Sequence, residues 1–206
     1  MFTGIVASTG ILEGKIITGG DCRLHISCSE LDLESAQVGD SISVSGACLT
    51  MLEPGSTGFF ADVSLETLNL TTLGQFREGQ AINLELALSL EDHLGGHLVT
   101  GHIDGKARLL SRHQDARSER FEFQVPDQLA RYIAKKGSVC IDGVSLTVNE
   151  VDGAKFEVCL IPHTLEVTTL GSLETGDEVN LEVDLIARYL ERLMAPEHQD
   201  QDLTQD

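Results

Sequence analysis

The sequence predicts an all-β protein built as two tandem homologous antiparallel barrels followed by one C-terminal helix. Three observations predict it. Sliding the chain on itself by 97 positions aligns TGIV at Thr3 with TGHI at Thr100, SGACLT at Ser45 with DGVSLT at Asp142, TLNLTTLG at Thr67 with TLEVTTLG at Thr164, and INLEL at Ile82 with VNLEV at Val179. Within each copy the apolar residues recur at every second position, and after Asp184 that period lengthens to a helical one.

One unchanged offset means that a whole domain has been duplicated, since a solenoid needs more and shorter units. The repeat places a first barrel in residues 1–97 and a second in 98–184. In SISVSG, Ile42 and Val44 alternate with serines, and Val139 and Ile141 do the same ahead of Gly143. Beyond Gly46 and Gly143 the large apolar residues change parity, to Leu49 and Met51 and to Leu146 and Val148, as a bulge or sharp bend at each glycine would require. Cys48, Thr50, Ser145 and Thr147 then lie opposite the leucines. Short strands broken by Gly, Asp and Ser turns suit a small barrel and not a βαβ sheet. Short helical pieces are expected at SELDLES (29–35) and at PDQLARYIA (126–134), where Leu129, Tyr132 and Ile133 share a face behind Pro126. In 185–195, Ile186, Tyr189, Leu190 and Leu193 form one apolar stripe, with Asp184 placed to cap the helix and Pro196 beyond it. The stripe either packs on its own barrel or joins copies from other subunits. Residues 196–206 are polar, acidic and expected to be disordered.

Composition excludes several classes. Thirty-three acidic against fourteen basic residues give a net charge of −19, a field that repels nucleic-acid phosphates and anionic membranes. MFTGIVASTG has no signal-peptide pattern, and no apolar run approaches the ~20 residues of a membrane span, so a cytoplasmic location is expected. Five cysteines without a CxxC pair point to reduced thiols. GGHLVTGH brings His97 and His102 five positions apart, a spacing that fits acid–base or hydrogen-bonding work better than zinc, and no metal is expected. Neither a phosphate-cradling loop nor a serine nucleophile elbow is present.

The differences between the copies carry the chemistry. Cys48 corresponds to Ser145, Ile5 to His102, Glu66 to His163, Gly39 to Lys136 and Ala87 to Asp184. A free thiol ionises near ~8.5 and supplies some thiolate at neutral pH, whereas a serine hydroxyl supplies none without a base. Two similar pockets have been made chemically unlike.

The residues MFTGIV, CLT at Cys48, GGHLVTGH, KGSVCIDGVSLTV and IPHTLEVTTLG resemble the alpha-type riboflavin synthases of the lumazine-binding repeat family, over most of the chain. One departure is Ser45, where many members have asparagine. The resemblance implies six-stranded Greek-key barrels, a trimerisation helix and a homotrimer whose reacting sites lie between barrels of different subunits. It implies a cofactor-free dismutation in which two molecules of 6,7-dimethyl-8-ribityllumazine exchange a four-carbon unit, giving riboflavin and 5-amino-6-ribitylaminouracil. Cys48, His102 and Ser145 are the catalytic candidates. Ligand-contacting positions carried over to the first barrel are Thr3, Gly4, Ile5, Val6, Cys48, Leu49, Thr50 and the strand Asp62, Val63, Ser64, Leu65, Glu66, Thr67. In the second they are Gly101, His102, Ile103, Lys136, Ser145, Leu146, Thr147 and Cys159, Leu160, Ile161, Pro162, His163, Thr164. A non-catalytic lumazine- or flavin-binding antenna protein shares the duplicated barrel; the presence of Cys48, His97, His102, Lys136 and DGVSLT favours the enzyme.

Overall fold

The structure, a computed structural model, describes residues 1–195. The first half folds into strands β1 (Ser8–Thr18), β2 (Asp21–Ser27), β3 (Ser41–Val44), β4 (Ala47–Gly55), β5 (Gly58–Val63) and β6 (Ala81–Leu86), closed in the order β1-β2-β5-β4-β3-β6. The second repeats this order with β7 (Gly105–Asp115), β8 (Ser118–Gln124), β9 (Ser138–Ile141), β10 (Val144–Asp152), β11 (Lys155–Leu160) and β12 (Glu178–Val183). Closure leaves no edge strand, and the alternating residues fill each interior: Leu24, Ile42, Met51 and Phe59 in one core, Phe121, Val139, Val148 and Phe156 in the other.

The parity change at Gly46 and Gly143 is the register of a two-residue hairpin, not a bulge. Ile42 pairs with Leu49 and Val44 with Ala47, so even positions of β3 face odd positions of β4. Ser45 and Gly46 have φ of 44° and 86°, Asp142 and Gly143 of 45° and 82°, the paired positive values of a type I′ turn. The two turns abut: a Cβ on Gly46 would lie 2.8 Å from the Gly143 nitrogen.

A pseudo-two-fold seam joins the barrels. Asn83 Nδ2 donates to the Asp142 carbonyl and Asn180 Nδ2 to the Ser45 carbonyl, both at 2.8 Å, while their Oδ1 atoms accept from Thr169 N and Thr72 N. At the same seam the segments ahead of each barrel cross over. Phe2 and Val99 bridge to each other, and beyond them the N-terminal arm sends Val6 against the second core while the linker arm sends Ile103 into the first.

Helices differ from expectation in three places. SELDLES forms bends and turns, because Leu31 and Leu33, two positions apart, are both buried and Asp32 Oδ1 accepts from Glu34 N. The expected helix at 126–134 shrinks to α2 (Asp127–Ala130), with Pro126 at its N-cap. The stretch Asp62–Thr67 is not a strand: β5 stops at Val63, Ser64 caps, and α1 (Leu65–Leu70) follows. Its counterpart Cys159–Thr164 breaks likewise, at Leu160, into α3 (Pro162–Val167).

The terminal helix, α4 (Leu185–Met194), is capped by Asp184, whose side chain accepts from Ile186 N. It does not bury its stripe on its own barrel: Ile186, Tyr189 and Leu193 are 61%, 64% and 80% exposed. Its polar side is tied down instead, by Arg131–Glu191, Tyr132–Glu191 and Arg188–Asp104. No described helix is long and apolar enough to cross a membrane. The expected disordered tail, 196–206, lies outside the described residues.

Candidate active site

Pairing of β3 with β4 turns Leu49 and Met51 inward and leaves Cys48 half-buried on the outer face. The linker arm lies directly over it. Cys48 N donates to the Gly101 carbonyl at 2.8 Å, and a Cβ on Gly101 would stand 2.5 Å from the Cys48 Cβ. With φ of +79° as well, only glycine fits here. His102 and Ile103 from the arm, Ala47 from β4, and Glu66, Thr67 and Leu70 from α1 complete a cleft of about 240 Å³ beside the thiol. The Ser64 cap, accepting from Thr67 N at 3.2 Å, sets the first turn of α1 at that cleft.

The second site is built the same way around Ser145. Its nitrogen donates to the Gly4 carbonyl at 2.7 Å, and a Cβ on Gly4, φ +75°, would lie 2.6 Å from the Ser145 Cβ. One layer is added that the first site lacks. The interdomain linker passes over Ser145, with Gly96 so close that a Cβ there would come within 2.8 Å of Oγ, and His97 Nδ1 lies 2.6 Å from that Oγ. Burial lowers the His97 pKa, against a smaller opposing effect of Asp184, and so favours the neutral ring. Its Nε2 is buried with no partner among the described residues. A neutral imidazole against a hydroxyl can accept its proton, which answers the need of Ser145 for a base.

The sequence-predicted residues are therefore regrouped. Gly4, Ile5 and Val6, expected beside Cys48, lie at the Ser145 side; Gly101, His102 and Ile103, expected beside Ser145, lie at Cys48. The physical reason is the crossing of the arms: each precedes one barrel in sequence and covers the other in space. Thr50 and Thr147 are exposed two positions beyond Cys48 and Ser145. Leu49, Val63 and Leu160 point into the cores and Leu146 packs against the second core. Asp62 is held by Arg23 through bonds of 2.7 and 2.9 Å. Leu65, Ile161, Pro162 and His163 are exposed, and Cys159 and Thr164 half-buried, around the helix starts. Lys136 is exposed with φ of 69°, where its counterpart Gly39 has 102°, and its ammonium forms no hydrogen bond or ion pair among the described residues. Thr3 is buried and bonded to Glu85. No group of three or more His, Cys, Asp or Glu among the described residues could hold a metal ion.

Sequence reasoning missed Gly96 and the pairing of His97 with Ser145, and it missed Glu85 and Glu182, which bond the two arms. The carboxylates had left a signal: each is the lone charge in its INLEL or VNLEV block, at the same offset of 97.

Two sites related by the repeat, each covered by a glycine arm, call for a family to match. The lumazine binding domain family matches this chain twice, over residues 3–87 and 100–184. Riboflavin synthase of Brucella abortus is 44% identical over 198 residues, covering 94% of this chain and 98% of the relative. The chain belongs to the riboflavin synthase family of lumazine-binding proteins. The synthase of Photobacterium phosphoreum is 41% identical, with 94% and 89% coverage, and that of Bacillus subtilis 36%, with 94% and 90%. Among solved structures, LumP complexed with riboflavin superposes with a TM-score of 0.81 at 28% identity, covering 89% of this chain and 99% of that one. LumP complexed with 6,7-dimethyl-8-(1′-D-ribityl)lumazine gives 0.80 at 26%.

Proposed function

We propose that the protein is a riboflavin synthase, a transferase that dismutates two molecules of 6,7-dimethyl-8-ribityllumazine into riboflavin and 5-amino-6-ribitylaminouracil. The observation that carries this reading is one fold repeated with unlike groups at matching points: Cys48 under Gly101 and His102, Ser145 under Gly4 and His97. One substrate taken twice calls for two similar pockets, and opposite roles as donor and acceptor call for pockets that differ. The reaction balances without oxidant or reductant, so the protein needs only to align two rings, supply a nucleophile and move protons. Alignment alone contributes several kcal/mol, ~7 or more in well-oriented systems.

In this reading Cys48 either attacks as the nucleophile or acts as the base that activates an attacking water, and His102 exchanges protons in the same cleft. Ser145 bonds the second lumazine and, with His97 as its base, relays a proton. Thr50, Glu66 and Thr67 on one side, and Thr147, Thr164 and His163 on the other, bind the ligands. Lys136, held in a left-handed conformation that glycine would take without strain, serves a ligand across a subunit boundary. The exposed stripe of α4 joins three chains, so that the first barrel of one faces the second barrel of another. The protein works in the cytoplasm without a cofactor. An antenna role is not favoured, since Cys48 and the Ser145–His97 pair are both present and the relatives named riboflavin synthase are 36–44% identical over most of the chain.

Incubation of purified protein with the lumazine alone, followed by absorbance, tests this reading. Riboflavin should appear with one molecule formed for two consumed. Binding without riboflavin formation would leave only a carrier.

A further inference from the structure

Two buried carboxylates take no part in the chemistry above. Glu85 in β6 and Glu182 in β12 are 6% and 4% exposed, each flanked on both sides by apolar residues, Leu84 and Leu86 in one strand and Leu181 and Val183 in the other. Glu85 Oε1 accepts from Thr3 N and Thr3 Oγ1, both at 2.6 Å, and Oε2 from Gly4 N at 3.1 Å. Glu182 repeats the pattern with Thr100 N and Oγ1 at 2.7 Å and Gly101 N at 2.9 Å. Each threonine hydroxyl then accepts from the next amide, Ile5 N or His102 N. A single carboxylate thus fixes three successive amides of an arm, two directly and one through the hydroxyl.

Neither carboxylate pairs with a lysine or arginine among the described residues, and burial raises both pKa values against the opposing effect of these donors. A buried carboxylate of this kind is held only by its hydrogen bonds, and it holds their donors in turn. What it holds is the roof of the other barrel's site. Glu182 belongs to the second barrel, yet Gly101 and His102 cover Cys48 of the first; Glu85 belongs to the first, yet Gly4 covers Ser145 of the second.

We infer that Glu85 and Glu182 are positioning residues with crossed targets, Glu182 setting the Gly101–His102 arm over Cys48 and Glu85 setting the Gly4–Ile5 arm over Ser145. The catalytic consequence rests on the function proposed above; the crossed geometry does not.

The test compares Glu85→Gln and Glu182→Gln in the full-length chain. The first readout is the rate at which iodoacetamide alkylates Cys48, followed by peptide mass spectrometry with the half-buried Cys159 as internal comparison. The second is riboflavin binding by fluorescence quenching. Glu182→Gln should change the Cys48 rate several-fold and leave Cys159 as in the wild type. Glu85→Gln should leave the Cys48 rate unchanged while removing one class of riboflavin site. Should either glutamine variant fail to fold, Thr100→Val and Thr3→Val remove the hydroxyl donors while keeping side-chain shape, and should give the same crossed pattern more weakly. A Cys48 rate unaffected by Glu182→Gln, or altered equally by both variants, would overturn the inference, since a general anchoring role predicts no crossing. Failure of the wild type to bind riboflavin would count against the proposed function alone, because the alkylation comparison needs no ligand.

Discussion

At Cys48 the chain places a thiol where its own duplicate has a hydroxyl, and the surrounding backbone is nearly the same in both. Cys48→Ser therefore keeps size and hydrogen bonding while removing the thiolate. It should bind substrate analogues about as well as the wild type yet lose most turnover, ~100-fold or more in kcat. Ser145→Cys should not compensate. Wild-type turnover by Cys48→Ser would make this residue a packing group only. Asp142 is a second informative residue. Burial without a facing cation pushes its carboxyl from 3.8 to about 7, and the other charges lining the adjoining crevice, Asp177 and Glu178, are also acidic. A carboxyl whose pKa is raised on folding contributes less stability as pH rises from 3.8 through about 7, and the loss persists above that window. Asp142→Asn ends this titration, retains an oxygen to accept from Asn180 N, and gives the type I′ turn an Asn-Gly pair. Urea unfolding at pH 8 should show the variant more stable by roughly 2–4 kcal/mol, with the difference shrinking toward pH 4. An equal difference at both pH values would show that the turn, not the charge, is responsible.

Among the elements, what the sequence displayed by periodicity appeared where expected. The strands carrying Ile42 and Val44, or Val139 and Ile141, are set by alternation, and the stripe of α4 by its helical spacing. The type I′ hairpins were half legible: the parity change was visible, but Ser45-Gly46 is a weak version of the pattern that Asp142-Gly143 states clearly. The short helices α1 and α3 were hidden because each follows directly on a strand and lacks a buried face of its own. Candidate site residues were grouped by sequence neighbourhood, and nothing in periodicity reveals that an arm crosses to another barrel. α4 yields the prediction at this scale. A chain ending at Val183 retains all twelve described strands but loses the apolar stripe. It should fold, bind ligand, sediment as a monomer and be nearly inactive. An intact trimer after this truncation would refute the assembly role of the helix.

For the whole molecule, duplication followed by divergence has made one chain that carries two unequal sites, at Cys48 and Ser145, each covered by the arm that leads into the other half. The central claim is that one turnover needs one pocket of each kind, and that the working pair comes from different subunits. Neither barrel is then sufficient alone, and a defect in one leaves the other sound. The most direct measurement mixes two inactive variants: Cys48→Ser, with a sound second barrel, and Ser145→Trp, whose second pocket is filled but whose Cys48 side is intact. Co-refolding at varied ratios, with mixed trimers verified by mass, should restore riboflavin formation above either parent, with a maximum at intermediate ratios. A flat, inactive series in the presence of mixed trimers would contradict the account, because it would place both working pockets within a single chain.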